Sequence, residues 1–190
     1  MKKALFIVVL VTIWILVYYT SNFIVTGSEF YNYATPIDDA FPLIPLFSIF
    51  YIAIFPILLI PFTVIKNKKA IMAGFLAIIT ITLPFFLIFP GEMIRPEFQV
   101  TGLFTWILAM VYKSDLPHNL FPSLHASISM FAALGYHKKW FYGFLFLVAL
   151  SCIFTKQHNF LDIIAGLIVG AIGYEFYKNV TSNPSPTLFY

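Results

Sequence analysis

Two short polar stretches interrupt long apolar runs. They are Asn119-Leu120-Phe121-Pro122-Ser123-Leu124-His125, and Lys156-Gln157-His158 with Asp162 four residues further on. Ionisable groups within or beside membrane segments are costly, which makes them candidate functional residues. On a helix, His158 and Asp162 would share one face. A carboxylate so placed accepts a hydrogen bond from one imidazole nitrogen, fixing the tautomer and leaving the other nitrogen's lone pair for attack. Pro122 and Ser123 are residues of helix starts, so His125 is expected just inside a helix. The free N–H groups and positive dipole end of that helix favour an anion. Arg95 supplies a planar, permanently charged fork suited to phosphate oxygens, and Lys156 a second cation. Together these groups suit phosphoryl transfer, which depends mostly on positioning and charge stabilisation. The spacing of His125, His158 and Asp162 also permits a metal. Arg95 and Lys156 would repel a cation, however, so no metal and no other cofactor is expected.

The elements that must carry these residues are apolar. Of 190 residues, 61% are hydrophobic and 10% charged, with 23 Phe and 11 Tyr. Mean hydropathy is +0.90. This composition excludes an ordinary soluble domain and points to an all-α, polytopic membrane protein. The single Cys152 excludes an intrachain disulfide and a cysteine-based zinc site. Apolar runs place six spans at about 4–20, 47–65, 70–89, 122–136, 140–155 and 159–177. Residues 98–112 fall short of the ~20 needed to cross and are expected as an interfacial helix. The first run follows Lys2-Lys3 like a signal peptide, but it is long and lacks a small-x-small cleavage pattern, so an uncleaved span is expected. Pro56 and Pro61 lie within the second run, where a membrane helix tolerates them. Asn183-Pro184-Ser185-Pro186 reads as a disordered tail. No repeat or soluble domain is visible, and the chain reads as one membrane domain.

Lys and Arg gather in short cytoplasmic loops. With six spans and both termini inside, Lys2, Lys3, Lys66, Lys68, Lys69, Lys138, Lys139 and Lys178 are cytoplasmic, eight of the eleven basic residues. Arg95, Lys113 and Lys156 remain outside, with His125, His158 and Asp162. Were 98–112 to cross, Lys138 and Lys139 would move outside and Arg95 would part from both histidines.

In these residues the chain resembles the type 2 phosphatidic acid phosphatase superfamily of membrane lipid phosphatases. That family's motifs are Lys-x6-Arg-Pro, Pro-Ser-Gly-His and Ser-Arg-x5-His-x3-Asp. Arg95-Pro96, Pro122-Ser123-Leu124-His125, and Ser151 with His158 and Asp162 match in order and register, over a catalytic core of about 88–166. Ile88, Leu124 and Cys152 stand where the family has Lys, Gly and Arg. Phe154-Thr155-Lys156-Gln157-His158 with Pro-Ser-Leu-His is similar to the branch containing inositol phosphoceramide synthase, whose members transfer a phospho-headgroup between lipids.

The resemblance implies a metal-independent lipid phosphatase acting on a lipid phosphate or pyrophosphate at the outer face (periplasmic, extracellular or lumenal) of a cell membrane. It makes His158 the nucleophile of a phosphohistidine, oriented by Asp162, and His125 the general acid and base. Arg95, Lys156, Ser123 and Ser151 would bind phosphate oxygens. The alternative is a lipid phosphotransferase; a transporter or non-catalytic scaffold fits less well, since the polar groups gather at one interface without a repeat. The expected partners are the lipid substrate and the bilayer, with no nucleic acid and no obligatory protein partner. Asp115 and His118 lie near the site as loop residues, Glu92 and Glu97 flank Arg95, and Trp14, Trp106 and Trp140 are expected as interfacial anchors.

Overall fold

A computed structural model describes residues 2–27 and 29–182. The expected tail at 183–186 lies outside them. The described residues form seven α-helices: α1 Lys3–Val25, α2 Ser48–Val64, α3 Lys68–Ile88, α4 Leu103–Ser114, α5 Leu124–Tyr136, α6 Lys139–Phe154 and α7 Phe160–Ser182. Each falls on one of the seven apolar runs. Four reach the length and apolarity needed to cross a membrane, namely α1, α2 with its preceding turn Pro45–Phe47, α3 and α7. This marks the chain as a membrane protein.

The other two expected spans, 122–136 and 140–155, correspond to helices below that length. Helix α5 has 13 residues and α6 has 16, so at 1.5 Å per residue they rise about 20 and 24 Å against a hydrocarbon core of about 30 Å. Helix α5 starts at Leu124 because Ser123 is its N-cap, the hydroxyl accepting from Ala126 N at 3.3 Å. Pro122 therefore precedes the helix instead of opening it. Helix α4, 12 residues long, begins at Leu103 after an extended stretch, later than the expected 98.

Helix α7 is the packing axis. A Cβ on Gly166 would meet the Ser123 carbonyl at 2.5 Å, and one on Gly170 would strike the Ser127 carbonyl. On a neighbouring face, a Cβ on Gly173 would come within 2.7 Å of Ile78 in α3. Small residues at this spacing let helix backbones approach closely where no water drives association. The start of α5 is thereby pressed against the start of α7. The Ser123 N–H donates to the Asp162 carbonyl at 3.0 Å and locks them together.

Candidate active site

His158 is held by a turn, not by a helix as its spacing from Asp162 had implied. After α6, Lys156 N–H bonds the Ile153 carbonyl and Gln157 N–H the Cys152 carbonyl, at 3.1 and 2.9 Å. This is the paired pattern that closes a helix with a left-handed residue. That residue is Lys156, at φ 52°, where glycine is the usual occupant. The reversal aims His158 back beneath α5. One residue later the chain enters α7, and Asp162 in its first turn reaches back to accept from Asn159 N at 2.8 Å. This is the carboxylate half of a capping box. The same Asp162 Oδ2 lies 3.7 Å from His158 Nδ1.

The opposite nitrogen, His158 Nε2, faces His125 Nδ1 at 3.3 Å. The sequence-derived row of Asp162, His158 and His125 is thus brought together with the expected polarity. All three are nearly sealed, at 0%, 5% and 6% exposure. Asp162 Oδ1 and His158 Nδ1 have no hydrogen-bond partner within the protein.

The cations are placed differently. Arg95 donates through Nη1 to the carbonyls of Tyr112 (3.1 Å) and Asp115 (2.7 Å), at the C-terminus of α4. A guanidinium suits the negative end of that helix. Through Nη2 it donates to Gln157 Oε1 at 2.5 Å, beside His158, and the Tyr112 ring lies 4.6 Å from its charge centre. Burial pulls Arg95 below its ordinary range. Its Nε and the Nε2 of Gln157 have no acceptor within the protein, which leaves two donors beside the histidines. Lys156 Nζ donates to the Asp38 carbonyl at 3.1 Å. Ser123 is occupied as the cap of α5. The Ser151 hydroxyl donates to Val148 O within its own helix.

Asp38 is a site-building residue that sequence reasoning missed. Its carboxylate accepts from Phe160 N at 2.7 Å, capping α7, and from both N and Oγ1 of Thr35. Together with the Lys156 bond it clamps the loop after α1 over the α6–α7 turn. Nothing local in the sequence announces a partner 122 residues away.

Asp115, expected near the site as a loop residue, ties helices together as well. It follows α4, and its carboxylate accepts from Tyr18 of α1 and from Tyr51 of α2, the latter at 2.5 Å. Burial pushes its carboxyl up to about 7. Asn119 adds a further tie to α1, donating to Tyr18 O at 2.8 Å. His118 stacks on Phe30 at 4.3 Å as a loop residue, and burial lowers its pKa.

Between α1, α2, α4 and α5 lies a cavity of about 1090 Å³. Its walls run along α1 from Ile7 to Tyr19 and along α2 from Tyr51 to Phe62. That length is about 18 Å, roughly one leaflet of hydrocarbon. The walls are almost wholly aliphatic and aromatic. The polar residues Lys113, Ser114, Asp115 and His125 join the Tyr18–Tyr51 end. Trp14, expected as an interfacial anchor, lies inside, 6.2 Å from the His125 ring, and Tyr51 is 4.8 Å from it.

Comparison of the chain with family models, with curated proteins and with solved structures returns no match.

Proposed function

We propose that the protein is a membrane-embedded lipid phosphatase of the type 2 phosphatidic acid phosphatase kind, working through a phosphohistidine. The observation that carries this reading is the position of His125. It lines a leaflet-long apolar cavity while its Nδ1 faces the Nε2 of an Asp-backed histidine at 3.3 Å. A lipid chain of that length would end with its head at His125, behind which His158 stands, and apolar pockets with few convergent polar groups are the usual form of a ligand site.

In the proposed reaction the phosphoryl group enters between the two rings. The His158 Nε2 lone pair attacks phosphorus while the His125 proton passes to the departing lipid oxygen. His125, now neutral, takes a proton from water, whose oxygen attacks phosphorus and releases His158. Asp162 holds the His158 tautomer and offsets the imidazolium charge. The Nε–H of Arg95 and the amide of Gln157 face the phosphate oxygens, and Lys156 contributes field from its Asp38 tether. The site lies at the outer face, with six spans and both termini inside; α5 and α6 cross as short helices.

A second reading draws on the walls around His125. Trp14, Tyr51 and Phe55 surround its ring, and so apolar a lining favours a lipid alcohol over water as acceptor. The protein would then transfer a phospho-headgroup between lipids.

The test is turnover of a panel of lipid phosphates and pyrophosphates by detergent-purified protein, with EDTA present and His158→Ala as control. Free phosphate that survives chelation and vanishes in the variant supports the phosphatase. A headgroup appearing on a second lipid supports transfer. Absence of both, or full activity in His158→Ala, refutes the enzymatic reading.

A further inference from the structure

Among the described residues, His125, Cys152 and His158 form a buried trio whose ligating atoms all lie within 4.8 Å of one another. Cys152 takes part in no step proposed above. It is the chain's only cysteine. It sits in the last turn of α6, and its carbonyl receives the N–H groups of both Gln157 and His158, at 2.9 and 3.1 Å. The thiol and the His158 imidazole are therefore carried by one tight turn.

From this geometry we propose that the trio is a binding site for a thiophilic divalent cation, Zn²⁺ in the first instance, whose occupancy switches the proposed phosphoryl transfer off. Two nitrogens each about 2.0–2.1 Å from a tetrahedral zinc stand about 3.3–3.4 Å apart. His125 Nδ1 and His158 Nε2 are 3.3 Å apart as they stand. The Cys152 sulfur lies within 4.8 Å of both nitrogens, and a small closing movement that brings its thiolate to about 2.3 Å from the metal supplies the third ligand of a mixed His and Cys set, with a fourth position left for solvent or an anion. An outer-shell partner is at hand: the Asp162 carboxylate lies 3.7 Å from the far nitrogen of His158, and closing that gap to a hydrogen bond would fix the tautomer of a metal-bound imidazole.

Charge favours the assignment. Binding releases the thiol proton, so Zn²⁺, the Cys152 thiolate and the Asp162 carboxylate sum to zero. Two observations gave reason to expect no metal: a lone cysteine, which excludes a site built on cysteines but not one of two histidines and a single thiolate, and the cations Arg95 and Lys156. The Arg95 Nη groups point at the carbonyls of Tyr112 and Asp115 and at Gln157, and the Lys156 ammonium at the carbonyl of Asp38. Inhibition follows because the metal takes the Nε2 lone pair that would attack phosphorus and the Nδ1 of His125 that faces it. The inhibition rests on the proposed function; the binding does not.

The first readout needs no lipid. Metal-free protein in detergent is titrated with Co²⁺ and then with Zn²⁺. Because Cys152 is the sole cysteine, a thiolate-to-cobalt charge-transfer band that saturates at one equivalent and is bleached by Zn²⁺ reports this site alone. Absence of the band in wild-type protein overturns the proposal, and that outcome does not depend on any variant folding. The second readout is Zn²⁺ inhibition of lipid-phosphate turnover, each protein being scaled to its own chelated rate. Cys152→Ser is expected to weaken the inhibition at least about tenfold. Equal inhibition in the two proteins overturns the switch. Should chelated wild-type protein turn over no lipid phosphate, the enzymatic reading fails, while the cobalt band still decides the site.

Discussion

The two sides of α5 are built in opposite ways. Towards α7 it is packed backbone to backbone, with glycines where a single methyl would collide and with polar groups bonded across the seam. Towards α1 and α2 it borders a cavity of about 1090 Å³ walled by single side chains. His125 stands on the boundary, its Nδ1 turned to His158 and its ring among Trp14, Tyr51 and Phe55. Chemistry that depends on fractions of an ångström belongs on the unyielding side. A chain of methylenes, bound by area and not by direction, needs only room. On the proposed function the contrast is a division of labour: one side would position the reacting atoms and the other would accommodate the tail.

Substitutions on the two sides should accordingly fail in different ways. The largest effect is expected from His158→Ala, which removes the proposed nucleophile and should cut turnover by about 10⁴-fold or more, to the background rate. Next comes Gly170→Ala in the tight seam. Its Cβ meets the Ser127 carbonyl, and overpacking against backbone costs about 1–3 kcal/mol. Thermal unfolding in detergent should show that loss, and kcat should fall with it as the start of α5 is pushed from α7. Gly143→Ala is the control. A Cβ there meets nothing within 4 Å, so it should be neutral or stabilise by up to about 1 kcal/mol. Equal behaviour of the two variants would show that the seam is not close-packed.

On the open side, Val11→Trp puts an indole into the cavity that Val11 lines. The expected outcome is a KM raised roughly tenfold for long-chain lipid phosphates, with kcat little changed; uniform binding energy is lost, not transition-state stabilisation. A short-chain, water-soluble phosphate ester should be handled nearly as well as by wild type. Equal losses on both substrates would mean that the tail lies elsewhere.

This division was only half legible in the sequence. Apolar runs bounded by Lys and Pro placed all seven helices, because burial in lipid demands such runs whatever the packing. The row of His125, His158 and Asp162 was legible as well, though for an incomplete reason. Four-residue spacing suggested one helix face, whereas His158 sits in the turn before α7 and Asp162 reaches it as the third residue after the Asn159 cap. An Asn followed three residues on by Asp is a start signal that could have placed that boundary. The left-handed Lys156 was hidden, since no glycine marks it. The Asp38 clamp, the Asp115 knot and the cavity join residues far apart in the chain, and no local period encodes such pairs.

Asp115 offers the most specific test, because it ties the open side to the closed one. Its carboxylate is gripped by Tyr18 of α1 and Tyr51 of α2, while its own carbonyl receives Arg95. Burial raises its carboxyl from 3.8 to about 7. The folded state then binds a proton that the unfolded chain has already released between those two values. Stability therefore falls as pH rises from about 4 to about 7, with a slope of at most about 1.4 kcal/mol per pH unit. Asp115→Asn keeps an acceptor for one tyrosine but cannot ionise. Its melting temperature should lose that slope and exceed the wild-type value above pH 7, where the native carboxylate carries an unpaired charge into apolar surroundings. If wild type and variant instead run parallel across the range, Asp115 is ionised throughout and paired by its two tyrosines, and the cavity's polar end is anionic at every pH at which a lipid phosphate would have to enter.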